Sequence, residues 1–142
     1  MINAYRVVID TNVLVAGLRS NCGASYKLLS IIGSKKFEFC ISAALVIEYE
    51  SVLKRRHLIS LKPEIIDDII DYICLKGVKT EIFYLWRPVL KDPKDDFILE
   101  LAVNSNSDFV ITFNKKHFVG IDKFGISVLS PKEFLQKIGE IK

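Results

Sequence analysis

Short apolar runs that end on polar residues alternate along this chain with stretches whose apolar positions repeat at helical spacing. Tyr5–Asp10 (YRVVID) is an apolar run closed by a carboxylate and predicts a buried strand. Phe37–Ser42 (FEFCIS) predicts a second strand, and Ser42 is placed to cap a helix running to about Arg56, because its hydroxyl can accept from a free backbone N–H. Pro63 suits a first helical turn and opens Glu64–Leu75, where Ile65, Ile66, Ile69, Ile70 and Ile73 recur with helical period. Val78–Leu85 is rich in residues that favour extended structure. A helix is expected from Asp95 to about Asn104, a third apolar strand over Asp108–Thr112, a short strand over Ile126–Leu129, and a terminal helix opened by Pro131. Strands alternating with helices imply an α/β fold, a mostly parallel sheet covered on both faces.

Length and composition narrow this further. The chain has 142 residues, half of them hydrophobic and 26% charged, which fits one packed domain spanning 1–142 and argues against disorder. No repeat, low-complexity tract or linker divides it. No window approaches the ~20 apolar residues of a membrane span. The first dozen residues do not have the layout of a signal peptide, so a cytoplasmic location is expected. Cys22, Cys40 and Cys74 are odd in number and widely spaced, which predicts buried reduced thiols and neither a disulfide nor a zinc site. The net charge of +3 permits a polyanionic partner without demanding one.

In parallel sheets, ligands bind outside the carboxyl ends of the strands, so the polar residues placed there carry the chemistry. Asp10 ends the first strand; as a lone residue it could equally cap a following helix. Glu48 falls on one margin of the apolar face of the helix after the second strand, and Glu50 on the other. In Asp92-Pro93-Lys94-Asp95-Asp96, a helix starting at Asp95 puts Leu99 and Ala102 on the same face. This arrangement aims Asp95 at the sheet edge and turns Asp96, in the sector of Glu100, toward solvent. Capping accounts equally well for Asp95 and better for Asp92 and Asp96. Asn114 follows the third strand and reaches the same crevice, where an ordinary turn residue would also suffice. Carboxylates gathered at one edge repel one another and call for a cation, and all-oxygen ligands favour Mg²⁺ or Mn²⁺ over zinc.

The ordered set resembles a known family. Asp10-Thr11-Asn12-Val13-Leu14, Ser42 with Glu48-Tyr49 and Val52-Leu53, Asp92-Pro93-Lys94-Asp95-Asp96 with Ala102, and Val110-Ile111-Thr112 with Asn114 and His117-Phe118 are similar to a PIN domain. The ending Val128-Leu129-Ser130-Pro131-Lys132-Glu133-Phe134-Leu135 is similar to the closing strand and helix of the toxin-like branch. The resemblance implies a flavodoxin-like three-layer αβα sandwich and a Mg²⁺- or Mn²⁺-dependent ribonuclease, the toxin half of a toxin–antitoxin pair. It further implies a homodimer held inactive by an antitoxin protein. By the same resemblance Asp10, Glu48 and Asp95 match the three acidic site positions. Asp10 and Asp95 would then bind the metal directly, with Glu48 orienting the attacking water either as a further metal ligand or as its hydrogen-bond partner. Asn12 matches the residue supporting the first Asp, and Thr112 the hydroxyl lining the site. Asn114 stands where many members carry a fourth Asp, a departure that removes one negative charge.

Of the basic clusters, Lys115-Lys116 is best placed to meet an RNA backbone, whereas Lys35-Lys36 and Lys54-Arg55-Arg56 read as solvated ends. Neither His57 nor His117 has a His or Cys partner at metal-binding spacing. Leu85-Trp86-Arg87-Pro88 reads as packing around the sheet rather than as an exposed anchor. Two phosphoryl-transfer rivals fail at the first strand. A HAD-type phosphatase needs a second Asp where Asn12 stands, and a receiver domain needs an acidic pair. Gly17 and Gly23 are isolated, so no phosphate-cradling loop is formed. The remaining alternative is a PIN module that binds RNA or a protein without cutting, which Asn114 keeps open.

Overall fold

The computed structural model describes residues 4–55, 58–82 and 93–142, without the side chains of residues 93–95. Strands β1 (Arg6–Ile9), β2 (Glu38–Ile41), β3 (Val78–Lys79), β4 (Phe109–Ile111) and β5 (Ser127–Leu129) form one sheet in the order β3-β2-β1-β4-β5. Every pairing is parallel, with Val7 opposite both Phe39 and Phe109, and Val110 opposite Val128. Parallel neighbours need crossovers, and helices supply them: α1 (Thr11–Arg19), α2 (Ala24–Ser30), α3 (Ala43–Leu53), α4 (Pro63–Lys76), α5 (Pro93–Asn104) and α6 (Pro131–Lys137). The α/β class and the parallel sheet stand as expected.

The central strands are continuous apolar runs because both of their faces are covered. Val7, Val8, Val110 and Ile111 are fully buried, and Phe39, Cys40 and Ile41 nearly so. Helix α3 starts where Ser42 accepts from the Leu45 N–H at 3.2 Å, and it buries Leu45, Tyr49 and Leu53, spaced four apart on one stripe. It ends at Leu53, before the expected limit near Arg56. Pro63 opens α4 as its first residue. Helix α6 starts with a reciprocal cap, in which the Ser130 hydroxyl accepts from Glu133 N–H and the Glu133 carboxylate accepts from Ser130 N–H.

Some expectations need correction. Among the described residues, extended pairing after α4 spans Val78–Lys79, and Phe83 to Leu85 of the expected strand lie outside the described residues, as do Arg56, His57, Asp92 and the segment Leu85-Trp86-Arg87-Pro88. Helices α1 and α2 have no counterpart in the hydrophobic pattern. The first carries Thr11, Val13, Val15 and Gly17, which are indifferent or poor helix formers, and packing rather than propensity makes it helical. Gly17 is required there: a Cβ on it would lie 2.4 Å from Leu29 Cδ1 and 2.9 Å from the Ser25 carbonyl oxygen, so α1 and α2 could not approach as closely. All three cysteines are free, but Cys22 is exposed, so only Cys40 and the half-buried Cys74 match the expected burial. Among the described residues no helix is long and apolar enough to cross a membrane.

Candidate functional site

Asp10 occupies the N-cap position of α1, yet its side chain makes no capping bond. Its Oδ2 instead accepts from the Thr112 hydroxyl at 2.7 Å. The backbone continues the sheet here, with Asp10 N–H donating to the Ile111 carbonyl and Thr112 N–H to the Leu129 carbonyl. The carboxylate is thereby fixed at the carboxyl edge of the two central strands. Capping alone, the ordinary explanation for an Asp at this place, does not describe its contacts.

Thr112 is fully buried and its hydroxyl is used completely. It donates to Asp10 and accepts from Asn114 N–H at 3.0 Å and, more loosely, from Asn12 Nδ2 at 3.4 Å. Asn12 also meets Phe113 N–H through Oδ1, at 3.5 Å. Asn12 therefore acts on Asp10 through Thr112, and Asn114 joins the network through its backbone.

Glu48 is half-buried on α3, and its Oε2 accepts from the Thr11 hydroxyl at 2.5 Å. The next residue, Tyr49, is buried and donates its hydroxyl to the carbonyl oxygen of Ile9. Burial, reinforced by the charges of Asp10 and Glu48, pushes the Tyr49 phenol well above its ordinary range, so it remains a donor at any working pH. Glu50, on the other margin of α3, is engaged by Lys54 at 3.0 Å and takes no part. Neither Thr11 nor Tyr49 was singled out as part of the site by sequence pattern. Their partners lie 37 and 40 residues away, so no local spacing could reveal them.

Burial raises the Asp10 carboxyl above its ordinary range, the Thr112 hydroxyl and the Thr11 backbone N–H oppose that by hydrogen bonding, and the Glu48 charge adds to it. His117, in the 3₁₀ turn Lys115–Phe118, is close enough to pull in the opposite direction. A buried carboxylate within electrostatic reach of a second one favours binding a cation and supplies only oxygen ligands.

Helix α5 runs antiparallel to the strands, as a crossover must, and its last turn returns to the opposite edge, where Ser105 accepts from Arg6 Nη1 at 2.9 Å. Its start therefore belongs to the edge that carries Asp10. Asp95 lies in this first turn, but its side chain is outside the described residues. Asp96, expected to face solvent, is 0% exposed, and Glu100 is 2% exposed. The reason is that α5 is enclosed on nearly all sides: Ile98, Leu99, Leu101 and Ala102 are buried as well, so no apolar stripe sets the helix phase. Among the described residues no group of three or more His, Cys, Asp or Glu side chains is assembled for a metal.

The basic clusters separate on inspection. The Lys115 ammonium pairs with Glu133, Lys36 with Glu140, and Lys54 with both Glu50 and Asp67, while Lys116 is exposed with no ion pair among the described residues. Phe113, between Thr112 and Asn114, is 51% exposed.

The family model described as PIN domain matches residues 6–116. A chain of VapBC2 from Rickettsia felis, solved bound to a DNA fragment from their promoter, shares the fold with a TM-score of 0.61 at 15% identity, covering 88% of this chain and 98% of that one. A chain of FitAB bound to an IR36 DNA fragment gives a TM-score of 0.63 at 18% identity, covering 88% of this chain and 94% of that one. No curated protein matches the sequence.

Proposed function

The chain belongs to the PIN-domain family, and on that premise we propose that it is a divalent-metal-dependent endoribonuclease, the toxin half of a toxin–antitoxin pair. The observation that carries this reading is Asp10: a buried carboxylate that declines its helix cap, is held by Thr112, and lies within electrostatic reach of Glu48. Two carboxylates in a setting of oxygen donors suit Mg²⁺ or Mn²⁺, which take one or two protein carboxylates and keep room for phosphate oxygens. When bound, such an ion supplies a water made nucleophilic at neutral pH and neutralises charge developing on the phosphate.

The chain's own residues have distinct parts in this account. Asp10 holds the ion, and Thr112 holds Asp10. Glu48 orients the attacking water from the neighbouring helix. The third acidic position belongs to the Asp95–Asp96 start of α5. Resemblance points to Asp95, and the complete burial of Asp96 at that same helix start supports Asp96. Lys116 would meet an RNA phosphate, and the exposed ring of Phe113 offers a face on which a base can stack. The chains that share this fold were solved within VapBC2 and FitAB, which supports an antitoxin as partner, and a homodimer follows from the toxin-like resemblance.

Asn114, standing where a fourth acid would add charge, favours a second reading: a PIN module that binds RNA or a protein without cutting. Calorimetry with Mn²⁺ separates the two. The nuclease takes up the ion at a specific site that disappears in Asp10→Asn, and a binding-only module shows no such site.

A further inference from the structure

We infer that Thr11 is a positioning residue for Glu48, fixing the carboxylate that faces the attacking water; the inference rests on the nuclease reading above. Thr11 is buried at the first helical position of α1. A threonine inside a helix can spend its hydroxyl on the carbonyl one turn back, but at the first position no such turn precedes it. The hydroxyl is thus free to leave the helix, and it donates to Glu48 Oε2 at 2.5 Å.

Two features make this bond more than an incidental contact. Glutamate is among the side chains with most rotamer freedom to lose, so an unheld Glu48 on a half-buried helix margin would sample several positions. Thr11 is β-branched and therefore stiff, and the backbone beneath it is already fixed: Asp10 N–H is in the sheet, and Tyr49 ties α3 to the Ile9 carbonyl. Tyr49 sets the distance between the helix and the strand end, and Thr11 then sets the direction of one side chain. The two carboxylates of the site are in this way referred to a single backbone segment, Ile9-Asp10-Thr11. Helix capping does not account for the bond, because the hydroxyl leaves its own helix for Glu48.

Thr11→Val keeps the shape and removes the donor, whereas Thr11→Ser keeps the donor and removes the methyl group. With Mn²⁺ and RNA both saturating, Thr11→Val is expected to lower kcat about tenfold with little change in KM, and Thr11→Ser to stay within about twofold of wild type. In a Glu48→Gln background, Thr11→Val should add no further loss. Equal kcat for Thr11→Val and wild type, or equal impairment of the Val and Ser variants, would overturn the inference; the latter would assign Thr11 a packing role. The bond is also read without catalysis, from NMR relaxation of the Glu48 side chain in the metal-free protein. Order lost in Thr11→Val and regained in Thr11→Ser supports the pairing, and order unchanged in Thr11→Val overturns it. Since this readout needs no cleavage, a wild-type protein that cuts no RNA counts separately, against the proposed function.

Discussion

The Thr112 hydroxyl donates to Asp10 Oδ2 at 2.7 Å across 102 residues of sequence, joining the ends of two adjacent parallel strands at the point where α1 begins. This bond directs Asp10 away from the helix it could have capped and holds a charge where burial opposes one. The protein keeps an unfavourable group in place, and the consequences are measurable.

Asp10→Asn should raise the thermal stability of the metal-free protein at neutral pH while abolishing cleavage. The carboxyl's folded pKa lies above its unfolded value, so between the two values the folded state binds more protons, and stability falls as pH rises through that window. At pH 7 the whole penalty is present, and an uncharged amide removes it. Melting in EDTA at pH 7 and again at acid pH, below both values, checks this: the variant's advantage should shrink as the wild-type carboxyl becomes protonated. Added Mn²⁺ should stabilise wild type and leave the variant unchanged.

Thr112→Val should cost about 1–3 kcal/mol, because it leaves a buried carboxylate and the Asn114 N–H without their partner. Denaturant unfolding measures the loss. Mn²⁺ affinity should fall with it, since Asp10 is then no longer held in place at the strand edge.

Legibility of the sequence divides along the length scale of the interaction. Strand ends and the residues just beyond them follow from apolar runs, so Asp10 and Asn114 can be placed at one edge from pattern, whereas Glu48 over Glu50 and the role of Thr112 come from the family resemblance. Phase within a helix follows only when one face is wet. In α3 the Leu45, Tyr49 and Leu53 stripe is clear, whereas in α5 burial extends around the helix and the reading of Asp96 as solvent-facing fails. Helix α1 goes unannounced because close packing at Gly17, not propensity, makes it helical, and α2 because its seven residues are too few to show a period. The Thr11–Glu48 bond joins residues on separate elements, and nothing local signals it.

Asp96→Asn should reduce cleavage, since the Asp96 carboxylate is withheld from solvent at the start of α5, and Asp95→Asn is its comparison. Each variant is first confirmed folded by circular dichroism and then assayed at saturating Mn²⁺. A larger loss in Asp95→Asn supports the assignment that resemblance implies, and a larger loss in Asp96→Asn moves the third acidic position to Asp96.

Gly17→Ala should destabilise the fold by about 1–3 kcal/mol, because the added methyl meets Leu29 and the Ser25 carbonyl and must push α2 aside. Chemical denaturation gives the figure. Mn²⁺ affinity, set by residues on other contacts, should change little.

Lys116→Ala should weaken RNA binding and reduce the slope of log affinity against log salt by about 0.7 to 1. Lys115→Ala should do less, because its ammonium is already paired with Glu133. Fluorescence anisotropy with a single-stranded oligonucleotide over a salt series distinguishes them.

The central claim is tested most directly by incubating purified protein with structured and single-stranded RNAs in Mn²⁺, in EDTA, and with Asp10→Asn in Mn²⁺. The account predicts cleavage by wild type in Mn²⁺ and its loss by more than about a hundredfold in the other two arms, beyond the roughly 10–100-fold that follows removal of only an outer partner of a metal ligand. Cleavage that persists in EDTA or in Asp10→Asn would contradict the account, and a folded wild-type protein that cuts none of the RNAs would favour the binding module.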